Sequence, residues 1–247
     1  MTENIIEVRD VTMRFNLEEE RTDTIKEYFL KLMKRQLRFN EFLALKNISF
    51  DVKRGDSVAL IGMNGSGKST MLKIIAGVLY PTKGTVNVRG SIAPLIELGA
   101  GFDGDLTARE NIYLNGAVLG HSRKFMEEHF QEIVDFAELW DFIDVPVKNF
   151  SSGMVARLGF SIATIVRADI LVVDEILAVG DFKFQEKCKE RMHDLMGHGS
   201  TVLFVSHDKE QVMSLCNNAI LLDHGNKIHA GPVGEVYERY EDLMRGR

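Results

Sequence analysis

The chain has 247 residues, 45% of them hydrophobic and 27% charged, with a net charge of −6. That composition fits a soluble globular protein built as one large or two interlocked units, and the acidic balance gives no general footprint for nucleic acid. No run approaches the roughly 20 apolar residues that a bilayer span needs, and the start MTENIIEVRD holds acids but no apolar signal core. Cys188 and Cys216 fall in segments of helical period and read as packed free thiols rather than a disulfide, as in a reducing cytosol.

Strand patterns come first. ENIIEVRDVTMRF, LKNISFDV, SVALIG and GTVNVRGSIAPLI predict a β-rich unit folded against the core that follows. Between Phe15 and Ala44, TDTIKEYFLKLMKRQLRF predicts an amphipathic helix at about 22–39. Thr22 or Asp23 can cap it, Ile25, Phe29, Leu32 and Gln36 trace one face, and Tyr28, Leu32 and Phe39 a neighbouring one. Lys26, Lys31, Lys34, Arg35 and Arg38 outnumber its acids. A basic amphipathic helix suits anionic lipid headgroups, a pyrophosphate-linked glycolipid or the mouth of a permease; the rival reading is a solvated face on a helix packed against its own domain.

The run GMNGSGKST, Gly62 to Thr70, joins the strand SVALI to the helical run MLKIIAGV. In this strand–loop–helix pattern Gly62, Asn64, Gly65, Ser66 and Gly67 turn backbone N–H groups onto phosphate oxygens. Lys68 neutralises the β- and γ-phosphates, Ser69 offers its hydroxyl to Mg²⁺, and Thr70 follows at the helix start. Further on, DILVVDE is an apolar strand ending in two carboxylates: Asp174 suits Mg²⁺ and Glu175 suits polarising the attacking water. The strand TVLFVSH ends in His207, placed to sense a γ-phosphate. The ligands implied are a nucleoside triphosphate and Mg²⁺.

TARENIYLNGAVLG, FMEEHFQEIVDFAELWDFI and SGMVARLGFSIATIV space apolar residues three and four apart and predict an all-helical insertion. After it, ILVVDE, FQEKCKERMHDLMG, TVLFVSH, DKEQVMSLC and AILLDHG alternate strand and helix, as in a parallel sheet covered by helices.

The segment NFSSGM, Asn149 to Met154, resembles the signature of ATP-binding cassette ATPases in the variant of polysaccharide exporters. Ser151 offers a hydroxyl, and Ser152 and Gly153 their N–H groups, at a helix N-terminus that favours an anion. The resemblance implies an α/β fold: a P-loop NTPase (RecA-like) core with an antiparallel β subdomain and an inserted α-helical subdomain. The expected bounds are 1–96 with 164–247 for the core and β parts and 97–163 for the helical part, in one cassette, with no C-terminal carbohydrate-binding domain. It further implies a homodimer, in which the signature of one chain covers ATP held by the other.

Asp181, in ILAVGD, matches the loop that crosses the dimer seam, and Phe15 takes the place of the adenine-stacking aromatic, its rival reading being a core aromatic at a strand end. Glu97, in ELGAGF, stands where most cassettes carry Gln. It either ligates Mg²⁺, signals to the membrane partner, or ends a strand. The basic helix and the endings FKFQEKCKERM and GPVGEVYERYEDLM are similar to the O-antigen, capsule and teichoic-acid branch. That branch implies an ATPase subunit on the cytoplasmic face of the membrane, docked on an integral-membrane permease, exporting a lipid-linked polysaccharide without nucleic acid. The alternative is a soluble cassette acting on ribosomes or nucleic acid, against which stand the single cassette and the lack of coiled-coil insertions.

Overall fold

The structure is a computed structural model that describes residues 3–18, 39–96, 98–174, 181–206 and 209–246. The expected helix at about 22–39, except its last residue, and the residues Glu97, Glu175 and His207 lie outside the described residues. Phe39 is not helical: it opens a strand, paired with Glu18.

Two sheets set the frame. β1 (Asn4–Glu18), β2 (Phe39–Lys53) and β4 (Lys83–Val88) form an antiparallel sheet in the order β2-β1-β4. β5 (Ile92–Leu95), β6 (Ile170–Asp174), β7 (Thr201–Val205), β3 (Ser57–Ile61), β8 (Asn218–Asp223) and β9 (Asn226–Pro232) form the other in that order, parallel except for β9 at its edge. The described α-helices are α1 (Lys68–Ile75), α2 (Ala108–Val118), α3 (Arg123–Ala137), α4 (Ser152–Ala163), α5 (Phe182–Gly197), α6 (Lys209–Leu215) and α7 (Val233–Arg245). None among the described residues is long and apolar enough to cross a membrane.

SVALI and TVLFV are buried at every residue, because a parallel sheet covered on both faces needs continuous apolar strands. The two-residue period of a strand then divides their side chains between two cores. Val58, Leu60, Val172 and Leu203 pack with Ile6, Val8 and Ile48 of the antiparallel sheet and with Met71 and Ile75 of α1. Ala59, Ile61, Leu171, Val173 and Phe204 pack with Phe160 of α4, Phe184 and Met192 of α5, Val212 of α6 and Tyr237 of α7. Cys188 and Cys216 are buried free thiols in this second core, and burial pushes both up to about 12. A third cluster joins Ile112 of α2, Met126 and Ile133 of α3, and Leu158 and Ile162 of α4. Thr107 and Glu110 start α2 with a reciprocal cap, Thr107 Oγ1 accepting from the Glu110 N–H and the Glu110 carboxylate from the Thr107 N–H.

Two expected elements break where tertiary bonds intervene. GTVNVRGSIAPLI is not one strand: Lys83–Val88 stays in the antiparallel sheet, whereas Ile92–Leu95 pairs in parallel with β6. Asp169 fixes the crossing. Its carboxylate accepts from the Ser91 N–H and hydroxyl, both at 2.9 Å, and from Arg54 at 2.7 Å. The helix expected to reach Ile143 stops at Ala137, where Glu138 turns left-handed at φ 58°, and a single 3-10 turn follows at Trp140–Phe142.

The Ser91 and Arg54 bonds hold the Asp169 carboxyl down to about 2. A carboxylate whose folded value lies below its unfolded one stabilises above the unfolded value, and that contribution is lost as pH falls from about 4 towards 2. With the side chain 38% exposed, solvent screening leaves about 1 kcal/mol. Asp169→Asn is therefore expected to lower the urea midpoint at neutral pH. The gap from wild type should close below about pH 4; a gap that widens in acid contradicts the assignment.

Candidate functional site

β3 ends at Ile61, and the chain turns through residues 62–67 into α1. Gly67 precedes the helix at φ 104°, and a Cβ there would come within 2.7 Å of both Ala44 O and Leu45 Cδ2. Only glycine fits, and β2 can therefore lie directly against the loop. The Gly225 N–H donates to Ser66 O at 3.1 Å and the Lys46 N–H to Gly225 O at 2.7 Å, which ties loop, β8–β9 turn and β2 together. Lys68 is 6% exposed, and its Nζ donates to Gly62 O at 2.7 Å and Met63 O at 3.0 Å. The ammonium is thus curled over the loop.

The loop opens on a cleft of about 310 Å³ lined by Asn64, Gly65, Ser66, Gly67, Lys68, Ser69, Thr70 and Asp174, with Phe42, Ala44 and Val205 completing its wall. Ser66 is 2% exposed, and its hydroxyl finds no hydrogen-bond partner among the described residues. A buried hydroxyl left open in a loop that leads into a helix N-terminus matches a phosphate, whose oxygens would complete the bonding. α1 adds the positive end of its dipole with no acidic residue in its first turn and no side chain capping it. Ser69 of α1 and Asp174 of β6 line the same cleft, and their side chains are hard oxygen donors of the kind Mg²⁺ takes.

Ser151 caps α4, its Oγ accepting from the Met154 N–H at 3.2 Å, which leaves the hydroxyl proton to donate outward. Ser151 and Ser152 are exposed, Gly153 is half-buried, and none of the three lines the cleft of the chain's own phosphate loop. Asp181 is held within its chain: it caps α5 by accepting from the Phe184 N–H at 2.9 Å and pairs with Arg157 of α4. The Phe184 bond, with Arg157 beside it, lowers its carboxyl. Arg157 also pairs with Glu138 at 3.6 Å and lies 5.0 Å over the Phe184 ring, so it fastens α4 to the ends of α3 and α5. No motif named it; its signal in the sequence is a lone charge inside SGMVARLGFSIA. Gly62 closes the end of β3, buried. Phe15 is not among the cleft residues; it is half-buried against the core beneath, and the aromatic in the cleft wall is its cross-strand partner Phe42.

α4 approaches the segment after Glu97 without side chains between them: a Cβ on Gly159 would sit 2.8 Å from Gly99 N and 3.2 Å from Leu98 Cβ. Gly159→Val is expected to cost about 1–3 kcal/mol by overpacking, read as a lower thermal midpoint. An unchanged midpoint would show that the contact yields freely.

The strand–loop–helix cleft with its buried lysine and facing carboxylate defines a P-loop nucleotide triphosphatase. Residues 45–178 match the ABC transporter family. The chain is 46% identical over 208 residues to the O-antigen export system ATP-binding protein RfbB of Klebsiella pneumoniae, covering 84% of this chain and 85% of that one. It is 40% identical over 246 residues to the teichoic acids export ATP-binding protein TagH of Listeria innocua, covering 99% and 72%. Among solved structures, a dimeric cassette of a bacterial ABC transporter superposes with a TM-score of 0.72 at 25% identity, covering 92% of this chain and 98% of that one. A dimeric cassette in a post-hydrolysis state, bound to ADP and Pi, has the same fold at a TM-score of 0.73 and 24% identity. The chain belongs to the ATP-binding cassette family of ABC transporters, and it is an ATPase of that family.

Proposed function

We propose that the chain is the ATP-hydrolysing subunit of an exporter of lipid-linked polysaccharide, working as a homodimer at the cytoplasmic face of the membrane. The observation that carries this is the pairing, in one chain, of a phosphate-loop cleft with an exposed signature helix that does not line it. The signature needs an ATP from elsewhere, and a second copy supplies it. The relatives whose names specify O-antigen or teichoic acid export support the cargo class.

In this reading the loop N–H groups, Ser66 and Lys68 hold the triphosphate, and Ser69 and Asp174, with Glu97, would hold Mg²⁺, which would supply positive charge to offset that of the phosphates. Glu175 takes the proton of the attacking water, His207 contacts the γ-phosphate, and Ser151, Ser152 and Gly153 donate to it from the partner chain. Asp181, which caps α5, is fastened to Arg157 of the signature helix. The reading divides the one cassette into 1–96 with 164–247 and 97–163, and α4 packs in both the sheet core and the helical cluster.

An apolar groove of about 290 Å³, walled by Pro94, Ile96, Leu98, Val118 and Leu119, includes Gly99 and Gly159 at their close approach. Val78 and Val118 on its rim are 60% and 67% exposed. It suits a cytosolic segment of the permease, whose movement there bears directly on α4. The test is purification of tagged Glu175→Gln chain in mild detergent. A stoichiometric multi-span partner, with wild-type turnover responding to lipid-linked glycan, supports the exporter; ribosomes or nucleic acid without a membrane partner would transfer the chain to a soluble cassette class.

A further inference from the structure

We propose that Glu138 is a positioning residue of the two-chain ATP site: its carboxylate ties the signature helix α4 to α5 and to the end of α3, and so sets how the N-terminus of α4 meets the nucleotide of a second copy. The inference rests on the reading of that N-terminus as the partner-facing half of the site. Glu138 stands where the backbone disfavours it. It ends α3 in the left-handed region, at φ 58° and ψ 44°, with its N–H donating to Val134 O. Glycine is the usual occupant of such a helix end, because a Cβ is crowded there, and Asn is the side chain most often tolerated. What glutamate adds over glycine at this position is its carboxylate.

That carboxylate is shared between two helices. Its Oε1 lies 3.2 Å from Lys187 Nζ of α5, and its Oε2 lies 3.6 Å from Arg157 Nη1 of α4. Lys183, one turn before Lys187 on α5, adds a third cation at 4.0 Å, but its side chain is 85% exposed and solvent screens it. The Arg157 side chain is only 19% exposed, so its pair is screened less. α5 does not need Glu138 to hold α3. Lys187 Nζ also donates to Phe136 O at 2.9 Å, Arg191 pairs with Glu132 at 3.1 Å, and the Phe136 ring meets the rings of Phe160 and Phe184. Arg157 is placed differently. Its guanidinium is held at two points, Asp181 on Nη2 and Glu138 on Nη1. Without Glu138 one of these remains, the guanidinium can pivot about it, and the helix that begins at Ser152 loses its ionic tie to the end of α3.

Glu138→Gly removes the carboxylate and the backbone strain together, so stability and function should respond differently. The thermal midpoint is expected to stay at or above that of wild type, glycine being the better helix end. Phosphate release by the purified chain should fall about tenfold, since an ångström of misplacement far from the chemistry costs up to ~10²-fold. Affinity for ATP in the chain's own cleft, which Glu138 does not line, should be unchanged by calorimetric titration. Glu138→Asn, which tolerates the left-handed turn but carries no charge, should match the glycine variant in turnover. Combined with Glu175→Gln, Glu138→Gly should also weaken ATP-driven dimerisation in sedimentation. The proposal is overturned if Glu138→Gly turns over ATP within twofold of wild type, which would leave Glu138 a plain helix end. A lowered midpoint together with weaker ATP binding overturns it as well, because Glu138 then supports the fold. Ser151→Arg alone checks the reading beneath: wild-type turnover in that variant removes the N-terminus of α4 from the site whatever Glu138→Gly does, which separates the two failures.

Discussion

Lys68→Ala should lower ATP turnover by roughly 10²–10³ while leaving the fold intact, because one preorganised donor aimed at developing charge is worth that much in a water-poor site. Lys68 is a buried cation held at 2.7 Å and 3.0 Å by two carbonyls of its own loop. Those bonds hold the ammonium where the phosphates must come, and the desolvation that a buried ammonium normally suffers is offset before substrate arrives. Truncation leaves Gly62 O and Met63 O facing a cleft large enough for water, so the stability cost is small and the catalytic cost large. Phosphate release by the purified chain, with a thermal melt as control, reads both. Turnover within tenfold of wild type at an unchanged melt would mean that the charge acting on the phosphates comes from another group.

How far the sequence reaches is decided by the range of the forces involved. The phosphate loop is legible because every part of its mechanism lies within nine residues, from the strand end to the helix start, and the glycine at position 67 takes the left-handed turn, φ 104°, that opens the helix. The parallel strands are legible because burial on both faces leaves continuous apolar runs such as TVLFV. The helix starts at Thr107 and Ser151 follow from short-range caps. The split of GTVNVRGSIAPLI between two sheets is different: it depends on Asp169, 78 residues from the Ser91 that it binds. Phe42 escapes a motif reading for the same reason. Its place in the cleft follows from the packing of Ala44 on Gly67 and the Lys46–Gly225 hydrogen bond, neither of which leaves a periodic trace. Arg157 likewise gains its meaning only when α3, α4 and α5 meet around it.

Glu175→Gln should abolish measurable turnover yet convert the chain to a dimer in ATP, and adding Ser151→Arg should return it to monomer. A general base contributes roughly 10²–10⁴, and the amide keeps the shape of the carboxylate while losing its basicity, so ATP stays bound and its product never forms to release the pair. Closure itself draws on the exposed N-terminus of α4, which has no acidic residue in its first turn and a serine whose proton is free to donate. An arginine side chain at the cap position removes the Oγ acceptor of the Met154 N–H and fills the space a phosphate needs, at a stability cost of about 1 kcal/mol for the lost cap. That cost is far below what unfolds a domain, so loss of the dimer reports on the interface rather than on the fold. Sedimentation of the single and double variants with and without ATP gives the answer. If the double variant associates as readily as Glu175→Gln alone, the helix N-terminus at Ser151 does not meet the partner's nucleotide, and the two-chain site must be built from a different surface of the cassette.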